Sequence, residues 1–179
     1  MYPNIRNMTV AITLGVATAG TAPAQAPAPQ PDPLVVSMQD GAKHIRAMFT
    51  RAADQMSEGD YAFRPTPEVR AFGQLLAHVA ESNYTFCAAA LGEKSPVANV
   101  EKTVTTRAAI QQVLLESFTY CDRAFTAMND AATAHRMMTF HGAQRAASAL
   151  LNFRNYHSLL HWGNAITYMR LRGKVPPSA

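Results

Sequence analysis

His157 and His161 stand four residues apart in the segment Asn155-Tyr156-His157-Ser158-Leu159-Leu160-His161-Trp162-Gly163-Asn164. In a helix that spacing projects both imidazoles from one face, one turn apart, where they can reach a single metal ion. A third histidine, His78, follows another helical pattern, Phe72-Gly73-Gln74-Leu75-Leu76-Ala77. If the two helices pack together, three neutral nitrogens converge and coordination positions stay open, as a site of chemistry requires. The spacing alone leaves a second reading standing, in which each imidazole is a core group satisfied by a hydrogen bond.

Neighbouring residues supply candidates for proton handling and for orienting the imidazoles. Asn164 follows His161 by three residues, so its amide can orient a ring or a bound water, or simply bridge two helices. Glu81, three residues after His78, can serve as a base or hydrogen-bond acceptor, or stand as a solvated surface acid. Tyr168, one turn beyond Asn164, is a further proton-handling candidate. The remaining histidines are less well placed: His44 lies one position off an apolar seam, and His135 and His141 fall in an irregular stretch. His141, beside Gly142, could reach the mouth of a site from its loop.

The elements that must position these groups read as helices. Met38, Ala42, Ile45, Phe49, Ala52 and Met56 mark the seam of a first helix over residues 34–56. Thr66-Pro67-Glu68 has the composition of a helix start, so the second is expected from about residue 68 to 91, stopped by Gly92. Its inner face carries Phe72, Leu75, Leu76, Val79, Asn83, Phe86 and Ala90. After a loop over residues 93–102, Ile110, Val113, Leu114, Ser117, Cys121, Phe125 and Met128 stripe a third. A fourth is expected over residues 144–172, with Ala146, Leu150, Phe153, His157, Leu160, His161, Asn164, Tyr168 and Leu171 inward. No convincing strand is evident. The expected fold class is all-α, a four-helix bundle, and bundle interiors are where metal sites are built from facing helices.

Charged residues make up 16% of the 179 residues, and the net charge of +4 is scattered, without a basic block or aromatic-basic interleaving. Nucleic acid is therefore not an expected partner. Near the N-terminus, Arg6 precedes a short apolar run that leads into small residues, the pattern of a secretory signal over residues 1–24 with cleavage after Ala24. An Ala/Pro/Gln-rich linker over residues 25–33 follows, and the bundle domain occupies residues 34–179. The apolar run is far shorter than a bilayer span, so the expected product is exported, periplasmic or extracellular, with no membrane span after cleavage.

The segments Tyr61-Ala62-Phe63-Arg64-Pro65-Thr66-Pro67-Glu68-Val69-Arg70 and Phe72-Gly73-Gln74-Leu75-Leu76-Ala77-His78-Val79-Ala80 resemble the front half of a DinB-family protein. His157-Ser158-Leu159-Leu160-His161-Trp162-Gly163-Asn164, with Tyr168-Met169-Arg170-Leu171-Arg172-Gly173-Lys174-Val175-Pro176-Pro177 after it, resembles that family's closing helix. The resemblance covers residues 34–178. It implies a DinB/YfiT-like bundle of up-down-down-up order and a divalent metal, zinc or nickel, held by His78, His157 and His161. It also implies a small-molecule substrate, since characterised relatives include thiol-dependent transferases and isomerases using bacillithiol or mycothiol. Those thiols are cytoplasmic, which sits against an exported chain. A homodimer is a further expectation.

Cys87 and Cys121 are the two cysteines. Under the parallel arrangement of the second and third helices that the family implies, they lie at nearly one level, so a disulfide and a pair of buried thiols are both open. Neither has a basic partner in sequence that would make it a nucleophile. The Glu-x-x-His pairs of diiron bundles and the Cys-x-x-Cys-His of covalent haem are absent from the sequence. Two functions therefore compete: a metal-dependent hydrolase or thiol transferase, and a non-catalytic protein that captures a metal or small ligand.

Overall fold

The computed structural model describes residues 32–177. The expected signal peptide, and the linker up to residue 31, lie outside the described residues. In chain order the elements are α1 (Pro33–Gln55), α2 (Glu58–Tyr61), α3 (Phe72–Leu91), α4 (Val100–Thr103), α5 (Arg107–Ala127), α6 (Ala131–Ala134), β1 (Met137–Phe140), β2 (Ala143–Ala146) and α7 (Ala147–Leu171). Each long helix begins or ends on identifiable chemistry. The Asp32 carboxylate accepts from the Leu34 and Val35 amides, with Pro33 in the first turn of α1. The Thr106 hydroxyl accepts from the Ala109 amide to start α5, and Gly92, at φ 78°, takes the left-handed turn that stops α3.

Side-chain contacts fix the helix directions. Along α3 and α5 the pairs Asn83–Ser117 and Cys87–Cys121 advance together, so these helices run parallel. Along α1 and α7, Met38 meets Asn155 and Phe49 meets Trp162, again parallel. Across the two pairs the order reverses: Arg46 reaches Asp122 while Gln111 reaches Ala53, and Asn83 meets Arg154 while Arg70 meets Tyr168. The four long helices therefore run up-down-down-up. The antiparallel neighbours α3 and α7 carry all three histidines of interest. Among the described residues no helix is long and apolar enough to cross a membrane.

The core has two apolar clusters. One, around Phe49, Phe72, Leu76, Phe118, Trp162 and Met169, underlies the histidine end. The other gathers Val35, Met38, Leu150 and Leu151 around the Cys87–Cys121 disulfide, whose Cα atoms are 5.3 Å apart. Between them lies a buried polar layer. Arg154, 1% exposed, donates from Nε to Asn83 Oδ1 and from Nη1 to Asn155 Oδ1, and its guanidinium lies 5.0 Å from the Phe118 ring centre. Asn83 Nδ2 donates to Ser117 Oγ and Asn155 Nδ2 to the Met38 carbonyl. Burial lowers the Arg154 pKa to about 10, still far above neutrality.

Three expectations need correction. The second long helix starts at Phe72, not near residue 68, because Thr66-Pro67-Glu68 belongs to a turn segment that closes on Phe72 N–H donating to the Phe63 carbonyl. The irregular stretch before α7 is a two-stranded antiparallel hairpin, pairing Met137 with Ala146 and Phe140 with Ala143. Its two-residue turn sets His141 at φ 47° and Gly142 at φ 74°, the positive angles that such hairpins need. Consequently α7 begins at Ala147. Finally, Phe153, Leu160 and Leu171 point outward, 57%, 64% and 59% exposed, while Arg154, Asn155 and Ser158 point inward. The inward polar layer displaces these three to the outside, while Leu150, Leu151, Trp162, Tyr168 and Met169 supply the apolar part of the inner face.

Candidate metal centre

His78 from the middle of α3 and His157 and His161 from α7 converge, one candidate ligand atom of each lying within 4.8 Å of the others. The Nε2 atoms of His157 and His161 are 3.2 Å apart. Two imidazoles bound to one tetrahedral ion at about 2.0–2.1 Å place their nitrogens roughly 3.3 Å apart, so this pair is already spaced for shared ligation. The His78 ring centre lies 5.2 Å from that of His157 and 4.7 Å from that of His161.

His78 is oriented through its other nitrogen. Its Nδ1 donates to Glu101 Oε2 at 2.9 Å, leaving Nε2 for the cluster. Glu101 is in turn held by Arg70, Nε to Oε1 at 2.7 Å and Nη2 to Oε2 at 3.2 Å. Partial burial pulls the Glu101 carboxyl upward, but Arg70 and His78 outweigh it and hold the group below its ordinary range. A carboxylate behind a histidine fixes the tautomer and raises its basicity as a ligand. Sequence reasoning missed Glu101 and Arg70, since one lies on a single-turn helix and the other on a turn segment, too short for periodicity to mark a face.

Two sequence-derived candidates act on this support rather than on the histidines. Glu81 accepts the Asn99 amide at Oε1 and the Glu101 amide at Oε2, both at 3.1 Å, and so fixes the start of α4 where Glu101 sits. Tyr168 donates its hydroxyl to the Arg70 carbonyl at 2.7 Å, tying α7 to the segment that carries Arg70. Burial pushes the Tyr168 phenol upward, which favours this donor role. Asn164 is exposed and lines a cavity of about 690 Å³ together with Arg64, Arg70, Gln74, Glu101 and Tyr168. It does not orient His161, whose Nδ1 has no hydrogen-bond partner.

The donor set fits a divalent transition metal. The pKa values of His157 and His161 are lowered to about 4, by burial first and by neighbouring positive charge second, so both rings are neutral at pH 7 with a lone pair to offer. Buried histidines serving only as core groups find hydrogen-bond partners, whereas Nδ1 of both His157 and His161 is buried without one. Apart from each other at Nε2, these two rings have no polar reason to meet.

A second cavity, about 390 Å³, opens on the cluster and is lined by His78, His157, Arg70, Glu101, Lys102 and His141 among others. His141 arrives there from the hairpin turn. Phe86 beneath it joins the histidine cluster to the hairpin, with its ring centre 5.7 Å from His157 and 5.4 Å from Phe140.

A bundle of up-down-down-up order with three histidines on its α3–α7 face defines a helical scaffold whose histidine cluster could hold a metal. The family model of the DinB superfamily matches residues 42–165, and the chain belongs to that superfamily. No curated protein sequence matches the chain. Among solved structures, a DinB-like protein from Bacillus cereus ATCC 10987 superposes with a TM-score of 0.70 at 15% identity, covering 80% of this chain and 96% of that one. The DinB-like protein YjoA of Bacillus subtilis gives 0.61 at 21% identity, with 82% and 97% covered. A mycothiol-dependent maleylpyruvate isomerase gives 0.60 at 18% identity, covering 73% of this chain and 60% of that enzyme. At these identities the likeness is one of fold.

Proposed function

We propose that the protein is a metal-dependent enzyme of the DinB superfamily, a hydrolase or thiol transferase acting on a small molecule outside the cytoplasm. The observation that carries it is the 3.2 Å approach of two neutral Nε2 atoms beside a third histidine backed by a carboxylate. Zinc or nickel bound there supplies a Lewis acid that polarises a carbonyl or stabilises a thiolate. The chain's own residues do the rest: Glu101 and Arg70 hold His78, Glu81 and Tyr168 hold Glu101 and Arg70, and the two adjoining cavities admit a small ligand. His141, which makes no hydrogen bond among the described residues, is the imidazole left free to accept or donate a proton at the cavity wall. The cytoplasmic character of mycothiol and bacillithiol favours hydrolysis over transfer for an exported chain.

Export finds support in the N-terminal pattern and in the Cys87–Cys121 disulfide, which persists in oxidising compartments. We take the protein to be periplasmic or extracellular and to form a homodimer. A second reading, non-catalytic capture of a metal or small ligand, draws on one observation: Glu81, Glu101 and Tyr168 are each engaged in hydrogen bonds and none is left as a free base.

Metal content of the purified protein, measured by mass spectrometry beside a His157→Ala variant, tests the reading. Near-stoichiometric zinc or nickel that the variant loses is expected. No metal in either protein after reconstitution removes the enzyme proposal. Turnover of an ester, amide or thiol panel by the loaded protein then separates catalysis from capture.

A further inference from the structure

The cavity on the histidine cluster and an apolar groove meet at the hairpin, where they share two lining residues. Phe140 and His141 line the cavity on one side and also line the groove, of about 420 Å³, between the hairpin and α7. That groove is bounded by Phe140, Ala143, Ala149, Leu150 and Phe153, with Arg145 as its charged member. Its character is opposite to that of the polar cavity flanked by Arg64 and Arg70. The groove and the cavity on the histidine cluster share an aromatic wall. His157 packs 5.7 Å from Phe86, and Phe86 packs 5.2 Å from Phe153 and 5.4 Å from Phe140, centre to centre. Phe153 remains 57% exposed on this wall, an aromatic left facing solvent beside a polar chemical centre.

We infer that the ligand of this site carries an apolar arm beside its metal-binding head, and that the arm lies in the groove between the hairpin and α7. The inference rests on the three-histidine reading and adds the chemical class of the ligand: a small amphiphile rather than a wholly polar compound. Aromatic and aliphatic side chains lining a concave space with few polar groups are what an alkyl or aryl arm needs. A groove of this size accommodates a ring or a short chain but no folded partner. The path also sets a length. With Phe86 standing between His157 and the groove, the first few carbons of an arm only span the wall, and later ones gain contact with Phe140 and Phe153.

Zinc-loaded full-length protein titrated with acetohydroxamate, butyrohydroxamate, hexanohydroxamate and octanohydroxamate tests this, beside Phe153→Ala and Phe153→Glu variants. Phe153 is exposed, so neither change threatens the fold. Removing about 100 Å² of arm from water predicts a tightening of roughly seventyfold across the series, concentrated in the longer members. Phe153→Glu should flatten the series, so that octanohydroxamate binds no tighter than acetohydroxamate. Acetohydroxamate binding with no gain from longer chains overturns the arm and leaves the metal reading intact. A gain that survives Phe153→Glu places the arm elsewhere and overturns it too. If sedimentation shows Phe153→Glu splitting a dimer without touching hydroxamate affinity, the groove is a contact between copies and the inference is wrong. Absence of zinc and of any hydroxamate binding removes the metal reading and this inference together.

Discussion

Replacing Glu101 with glutamine asks whether that carboxylate tunes the metal centre. The change keeps the shape and one acceptor oxygen, but removes the charge shared by His78 Nδ1 at 2.9 Å and Arg70 Nε at 2.7 Å. A hydrogen bond to a charged group contributes about 1.5–3 kcal/mol. The His78 and Glu101 side chains are 23% and 26% exposed, so solvent screening brings the expected loss to about 1–2 kcal/mol. At about 1.4 kcal/mol per decade, the metal dissociation constant should rise roughly fivefold to thirtyfold, with binding still one ion per chain. Competition against a chromophoric chelator at neutral pH reads the constant, with His78→Ala as the control that loses the site. The melting temperature of the metal-free variant should stay near that of the parent. Affinity within twofold of the parent, alongside loss of metal in His78→Ala, would refute the role given to Glu101. A metal-free variant that unfolds early would instead reduce the carboxylate to an anchor for α4.

Three further outcomes follow from the same structure. Asn83→Ala removes the acceptor of Arg154 Nε inside the buried layer and leaves an unmet charged donor, so urea unfolding should show a loss of about 3 kcal/mol or more; a loss below about 1 kcal/mol would mean that water reaches Arg154. Joining Cys87 to Cys121 closes a loop with a sequence separation of 34, and the paired Cys87→Ala, Cys121→Ala variant should be less stable by about 3–4 kcal/mol, read from denaturation midpoints. Asp60 is held at a pKa of about 2 by the Ser57 hydroxyl first and Arg172 second, below its ordinary 3.8. The stability it contributes, about 1–2 kcal/mol after screening, is therefore present above pH 4 and lost as pH falls toward 2. Unfolding curves of the parent and Asp60→Asn should converge over that range, and curves that stay parallel would contradict the assignment.

How far the sequence could be read depended on what each helix buries. Every inner position expected on α1 and α3 is buried, because their cores are filled with Ile45, Phe49, Leu76 and similar side chains. On α7 the apolar stripe pointed to the wrong face at Phe153 and Leu160, since the inward side carries Arg154, Asn155 and Ser158. Hydropathy has no means of recognising a polar group that will be satisfied by a partner elsewhere, here Asn83 on α3. The hairpin escaped for a related reason: His141-Gly142 takes the turn that Asn-Gly usually announces, and each strand has four residues. The histidines were legible because spacing four on a helix is a local signal. Their support was not, since Glu101 meets His78 across 23 positions of chain.

The placement of these groups separates rigidity from variability. The three histidines stand on α3 and α7, and α3 is bound to α5 by the disulfide nine residues beyond His78, about 13 Å along the helix. Arg154 joins α7 to α3 between the two apolar clusters, so neither ligand helix can slide or turn without exposing a buried charge. What surrounds the histidines is built differently: the turn segment with Arg64 and Arg70, the four-residue α4, and the hairpin with Phe140 and His141. Such segments tolerate substitution at little cost to the core, while half-ångström changes in the ligand helices do not pass unnoticed. A three-histidine cluster held between packed helices, inside a rim of short segments, separates the groups proposed to hold a metal from those proposed to meet a ligand. The apolar groove beside His141 belongs to this rim and not to the scaffold, so the ligand class proposed from it can be tested without disturbing the histidines.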